Sequence, residues 1–155
     1  MESVKLKKLS GKIILVDDQL YEKGLLELAL EEKGWEVQLE YFKRAEDALD
    51  YLEETLDKLF LIISDIDMPK MNGLEFKKAI DTSFGAYRKS IPFIFASNSD
   101  TSEIISEAFL YRVQGFFRKA STVTEQAEML DIIIKYWIVC NHPNKYFEKE
   151  NTKLL

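Results

Sequence analysis

The chain has a single cysteine, Cys140, and a single histidine, His142, among its 155 residues. One thiol cannot close an internal disulfide, so nothing points to an oxidising compartment and the cytosol is the simpler expectation. Cys140 reads as a core residue. One imidazole gives neither a histidine-based metal site nor an internal phosphohistidine relay much to build on. Basic excess is also missing: 21 Lys and Arg against 27 Asp and Glu give a net charge of -6. With a pI near 5.0, this argues against a nucleic-acid partner, whose phosphates need clustered Lys and Arg. The richest apolar stretch, Met129 to Cys140, is too short to span a bilayer and contains Asp131 and Lys135. The lysines Lys5, Lys7 and Lys8 precede an apolar run, Ile13–Val16, of only four residues that stops at Asp17-Asp18, unlike a signal peptide. No G-x-G-x-x-G follows the first apolar run, so dinucleotide binding lacks support. The expectation is a soluble protein with no membrane or nucleic-acid partner.

What is present is a globular balance, 46% hydrophobic and 31% charged. A mass of 18.1 kDa fits one domain, expected over residues 12–141 between an N-terminal extension (1–11) and a C-terminal tail (142–155) too short for an output domain. Short apolar runs bounded by turn residues predict five strands: Ile13–Val16, Val37–Phe42, Phe60–Ile63, Phe93–Ala96 and Phe116–Phe117. Helical spacing lies between them: Tyr21-Leu25-Leu28-Ala29 ending at Gly34, Ala45-Ala48-Leu49-Leu52-Leu56, Leu74 to Ile80, and Ile104-Ile105-Ala108-Phe109. A last helix carries Met129, Ile132, Ile133, Tyr136, Trp137 and Cys140 on one stripe, with Thr122 and Glu125 placed for a capping box. Alternating β and α segments with apolar strands imply right-handed crossovers and a parallel sheet covered on both faces. The expected fold is α/β, a flavodoxin-like doubly wound (βα)5 domain with strand order 2-1-3-4-5.

In such sheets the binding crevice lies beyond the carboxyl ends of the strands. The residues just past the strands are Asp17 and Asp18, Asp65, Ser97 and Lys119, so four of five strands deliver a reactive group to one edge. Crowded carboxylates repel unless a cation sits among them or they take up protons. Oxygen ligation with few carboxylates suits magnesium, which keeps several waters and shares its shell with phosphoryl groups. Lys119 supplies a second positive charge, and the Ser97 hydroxyl a hydrogen bond. Together they describe a phosphoryl site with a carboxylate nucleophile. Adjacent aspartates after a strand are often only a turn and a helix cap. The specific element is the stretch Ser64-Asp65-Ile66-Asp67-Met68-Pro69-Lys70-Met71-Asn72-Gly73.

At these residues the chain resembles the receiver domain of response regulators in two-component signalling, from about Lys12 to Cys140. The resemblance is to stand-alone receivers of the chemotaxis-regulator type; Tyr136-Trp137 and Pro143 also resemble phytochrome-partner regulators. It implies that Asp65 accepts a phosphoryl group from a sensor histidine kinase or phosphotransfer protein in the presence of Mg2+. Asp18 and Asp65 would ligate the metal through side chains and Asp67 through its backbone carbonyl, with Asp17 holding a metal-bound water. Ser97 and Phe116 match the switch residues and Lys119 the family lysine. The output would be a changed surface of the fifth strand and its flanking helices, read by a downstream protein. Such a domain assists its own phosphorylation and is not otherwise an enzyme.

The pattern departs at Ala120, where the family has a proline after a cis bond; a trans bond is expected here, because a cis bond before a non-proline costs about 3 kcal/mol. Asn98 and Asp67 are further departures that would tune phosphate lifetime. In the last helix, Leu130, Ile134 and Ile138 lie away from the Ile133-Tyr136-Trp137-Cys140 side. This suggests a homodimer through that helix unless the tail around Tyr146-Phe147 covers it. The alternatives are a haloacid-dehalogenase-like phosphatase, with Asp65 and Asp67 as its Asp-x-Asp pair, and a receiver-like module that binds partners without phosphorylation.

Overall fold

A computed structural model describes residues 5–146. Strands β1 (Lys7–Val16), β2 (Trp35–Phe42), β3 (Leu59–Ser64), β4 (Phe93–Ser97) and β5 (Gly115–Arg118) form one sheet. All its pairings are parallel and its order is β2-β1-β3-β4-β5, as expected. The helices are α1 (Leu20–Glu32), α2 (Ala45–Glu54), α3 (Gly73–Ser83), α4 (Ala86–Lys89), α5 (Ser102–Leu110) and α6 (Val123–Val139), followed by a 3₁₀ turn at Pro143–Tyr146. No helix among the described residues is long and apolar enough to cross a membrane.

Successive strand residues point to opposite faces, so β1 alone feeds two cores. Ile14 and Val16 join Ile62, Phe93 and Phe95 beneath α2, α3 and α5. Ile13 and Leu15 join Leu61, Ile63 and Ile94 beneath α1 and α6. β3, the central strand, is buried at every position, which is why its run Leu-Phe-Leu-Ile-Ile shows no polar alternation.

Several details differ from the sequence-based expectations; among them, α1 buries Glu22, Leu26, Ala29 and Leu30 while Tyr21 and Leu28 of the expected stripe are exposed, and Cys140 is only partly buried. β1 begins at Lys7, so residues 7–11 are strand rather than extension; they pair with β2 beyond an irregularity between Lys8 and Lys12. Gly11 there adopts φ +102, a conformation that suits glycine, and Leu9 reaches the core. A one-turn helix, α4, intervenes before β4. On α6 the buried residues are Ala127, Leu130, Ile133 and Ile134, whereas Ile132 and Tyr136 are exposed. The stripe is therefore rotated from the expected one, and Leu130 and Ile134 are core. Finally, Thr122 accepts from the Glu125 N–H at 3.1 Å, but the Glu125 carboxylate turns to the Ser121 hydroxyl at 3.1 Å. Thr122 thus caps α6 without a reciprocal box.

The 3₁₀ turn packs against α4 and β3, with Tyr146 exposed, so the described part of the tail leaves the outer face of α6 uncovered. Phe147 lies outside the described residues.

Candidate functional site

The carboxyl edge of the sheet gathers the predicted groups. Asp17 follows β1, its amide bonding to the Phe42 carbonyl at 3.1 Å. Asp65 follows β3, its amide bonding to the Val16 carbonyl at 2.9 Å, which sets the two carboxylates on neighbouring strands. One oxygen from each of Asp17, Asp18 and Asp65 lies within 4.8 Å of the others. Asp17 is 2% and Asp65 7% exposed, so water screens their repulsion little. Lys119 enters from the end of β5, its backbone N–H bonding to the Ser97 carbonyl at 2.8 Å. Its ammonium lies 2.8 Å from Asp17 Oδ2 and 3.5 Å from Asp65 Oδ2.

Burial pushes the Asp65 carboxyl up to about 6; Lys119 opposes that rise and Asp17 adds to it. Burial alone pulls the Lys119 ammonium down, but the hydrogen bond to Asp17 and the charges of Asp17, Asp65 and Glu22 leave it raised. One buried ammonium is thus asked to offset several carboxylates. Three hard oxygen donors converging on one point, with less positive charge than negative, fit a divalent cation such as Mg2+.

The loop after Asp65 is held by close approach. The Asp65 carboxylate accepts from the Ile66 N–H at 2.8 Å, and the Gly73 N–H bonds to the Ile66 carbonyl at 2.8 Å. A Cβ on Gly73 would lie 2.2 Å from the Asp65 carbonyl oxygen, so only glycine lets α3 start against the end of β3. α3 is opened by a true capping box: Asn72 Oδ1 accepts from the Glu75 N–H at 2.9 Å and the Glu75 carboxylate from the Asn72 N–H at 3.2 Å.

Ser97 is buried and its hydroxyl accepts from the Ser99 N–H at 3.2 Å. Phe116 pairs in register with Phe95 and packs half-buried on the core beneath α2, α3 and α5. Asp67 is exposed and its carboxylate is not among the three that converge. Asn98 is exposed too. No described peptide bond is cis, so the bond before Ala120 is trans as expected.

Two contributors were not anticipated. Glu22, in the first turn of α1, is buried with Oε1 3.8 Å from the Lys119 ammonium; burial raises its carboxyl while Lys119 pulls it down. Tyr41 donates its hydroxyl to the Asp17 carbonyl at 2.7 Å. The inward spacing Glu22-Leu26-Ala29 was the available signal for the first. Nothing marked Tyr41.

The family model described as "Response regulator receiver domain" matches residues 13–132. The chain belongs to the response regulator receiver family, a family of signalling domains. Among curated relatives it is 33% identical to the transcriptional regulatory protein FlgR of Helicobacter pylori over 108 residues, covering 70% of this chain and 26% of FlgR. It therefore spans about a quarter of FlgR's length. It is 24% identical to the probable methanogenesis regulatory protein FilR2 of Methanothrix harundinacea, covering 83% and 84% of the two chains. Its fold is similar to that of the phosphorylated cyanobacterial phytochrome response regulator RcpA (TM-score 0.74, 21% identity, 87% of this chain and 99% of that one). It is likewise similar to response regulator RPA3017 in red light signaling of R. palustris (TM-score 0.75, 18% identity, 85% and 98%). The family match decides against the dehalogenase-like alternative.

Proposed function

We propose that this receiver domain accepts a phosphoryl group on Asp65 with the help of Mg2+ and signals through the surface formed by α5, β5 and α6. The observation that carries the reading is the convergence of Asp17, Asp18 and Asp65 within 4.8 Å beside the buried ammonium of Lys119.

Asp18 and Asp65 would hold the ion by their carboxylates, Asp67 by its backbone carbonyl, and Asp17 through a water. The ion supplies charge neutralisation at the transferring phosphoryl group. The donor is a phosphohistidine of a sensor histidine kinase or phosphotransfer protein. A carboxylate oxygen of Asp65 attacks phosphorus; the P–N bond breaks, its electron pair returns to the imidazole, and an acyl phosphate forms on Asp65. Deprotonated Asp65 is the nucleophile; burial raises its carboxyl in the metal-free protein, and the positive charges of the ion and of Lys119 would favour the ionised form that attacks. Lys119 exchanges its carboxylate contacts for a phosphoryl oxygen, and the Ser97 hydroxyl, an acceptor from Ser99, donates its own proton to another.

Movement of Ser97 toward the phosphoryl group would vacate space for Phe116, which is only half-buried now and, lacking a hydroxyl, is held inward by apolar burial alone. Phe116→Ala is expected to leave phosphoryl uptake intact and abolish the output response; loss of uptake would contradict that role. Asn98 and Asp67, exposed at the mouth, would set the rate at which water reaches the acyl phosphate, and unchanged autodephosphorylation in Asn98→Ala and Asp67→Asn would rule this out. A downstream protein reads the altered face in the cytoplasm.

The deciding experiment is incubation with a small phosphodonor and Mg2+, followed by intact mass analysis. Wild type should gain the mass of one phosphoryl group and Asp65→Asn none. An unmodified wild type would favour the alternative of a module that binds partners without phosphorylation.

A further inference from the structure

Lys119 has three carboxylate neighbours: Asp17 at 2.8 Å, Asp65 at 3.5 Å and Glu22 at 3.8 Å. The first two belong to the converging trio and Glu22 does not. The difference matters once a divalent ion seats itself. Oxygens of Asp17 and Asp65 drawn toward the ion are weaker partners for an ammonium, and the ion itself repels the ammonium at short range. Of the three neighbours, Glu22 alone keeps its charge for Lys119.

Glu22 stands on the inward face of α1 one turn before Leu26, where an apolar side chain would satisfy packing. Burying a carboxylate there is unfavourable unless it is paired; its cationic partner is Lys119, and the Tyr21 side chain also hydrogen-bonds to it. A small cavity of about 20 Å³ borders Glu22, Asp17, Asp65 and Lys119 on one side and apolar residues of the α1 and α6 core, such as Leu26 and Leu130, on the other. That is room for about one water, so the groups around Lys119 are not packed solid.

We propose that Glu22 is a positioning residue that retains the Lys119 ammonium beside Asp65 when the ion binds, so that the ammonium is in place as the phosphoryl group arrives. The inference rests on the phosphoryl-acceptor reading of Asp65.

The test is the rate of phosphoryl uptake from a small phosphodonor at saturating Mg2+, with saturation established for each protein. Glu22→Gln, nearly isosteric, should slow uptake roughly tenfold, less than the roughly 10²–10³ that outright loss of a charge-stabilising donor costs, because the ammonium is displaced rather than removed. Glu22→Met, suited to the apolar face of α1, should do the same, and Glu22→Asp should restore most of the rate. In a Lys119→Met background, Glu22→Gln should produce no further slowing, because its effect runs through the missing ammonium. Wild-type rates in both Glu22→Gln and Glu22→Met would overturn the inference alone, as would the same tenfold loss with Lys119 absent. A wild type that takes up no phosphoryl group would overturn the acceptor reading, and the inference with it.

Discussion

At Asp65, burial, Lys119 and Asp17 act on one carboxyl, and burial wins, lifting it from 3.8 to about 6. Because the folded carboxyl keeps its proton to higher pH than the unfolded one, the stabilisation from this group is complete below about pH 4 and is lost as pH rises through about 6. Metal-free protein should therefore lose up to about 3 kcal/mol between those limits from this group, and Asp65→Asn should flatten the curve in denaturant titrations at several pH values. A wild-type curve as flat as the variant's would show that the site is wetter than its burial indicates. Gly73 offers a second test: a methyl group forced to 2.2 Å from the Asp65 carbonyl should make Gly73→Ala destabilising by about 1–3 kcal/mol and weaken Mg2+ binding, both measurable by thermal melts with and without the ion. At this scale Asp17, Asp18, Asp65, Ser97 and Lys119 were legible because each ends a strand, and the fold sends strand ends to one edge. Glu22 and Tyr41 were not: the spacing of Glu22 with Leu26 and Ala29 competes with the more apolar stripe Tyr21-Leu25-Leu28 on the same helix, and an edge-strand hydroxyl looks like an ordinary surface group until its neighbours are known.

Elements show what periodicity can and cannot fix. In α6 almost every position from Met129 to Cys140 is apolar, so the spacing identified a helix but left its phase open. Packing against α1 chose Leu130, Ile133 and Ile134 and left Ile132, Tyr136 and Val139 outside, the last 77% exposed. α4 escaped notice for the opposite reason: one turn, Ala86–Lys89, carries no period. Its importance lies in Arg88, buried at 2% exposure, which donates from Nε to the Leu52 carbonyl at 2.9 Å and from its other nitrogen to the Thr55 carbonyl. These bonds satisfy carbonyls at the end of α2 that the helix itself leaves open. Burial lowers the Arg88 guanidinium pKa. Buried Asn144 in turn donates to the Tyr87 carbonyl and to Ser90 Oγ at 3.0 Å, fastening the 3₁₀ turn to α4. Arg88→Ala should cost about 3 kcal/mol through its lost charge-assisted bonds, and Asn144→Ala about 1 kcal/mol. Urea unfolding would measure both, and a loss below 1 kcal/mol for Arg88→Ala would refute the capping role.

For the whole molecule, the layered plan followed from alternation alone: five apolar runs separated by helical segments allow few arrangements, and the parallel order β2-β1-β3-β4-β5 is one of them. The start of β1 was missed because the irregularity at Gly11 breaks its pattern. The exposed row Ile132-Tyr136-Val139 on α6 keeps the proposal of a homodimer through that helix, now by a different face than expected. Sedimentation with and without a phosphoryl mimic should reveal dimer, and monomer under both conditions would remove it. If the assembled carboxylates hold Mg2+ as proposed, the ion at a hundredfold excess over its Kd should raise global stability by about 2.7 kcal/mol, because the unfolded chain offers no such site.

The most direct measurement is to phosphorylate the protein in Mg2+, reduce the product with borohydride, which converts an aspartyl phosphate to homoserine, and map the modified residue by peptide mass. Homoserine at position 65 and no other aspartate is the expected result. Homoserine at position 17, 18 or 67, or none anywhere, would contradict the assignment of Asp65 as the phosphoryl acceptor.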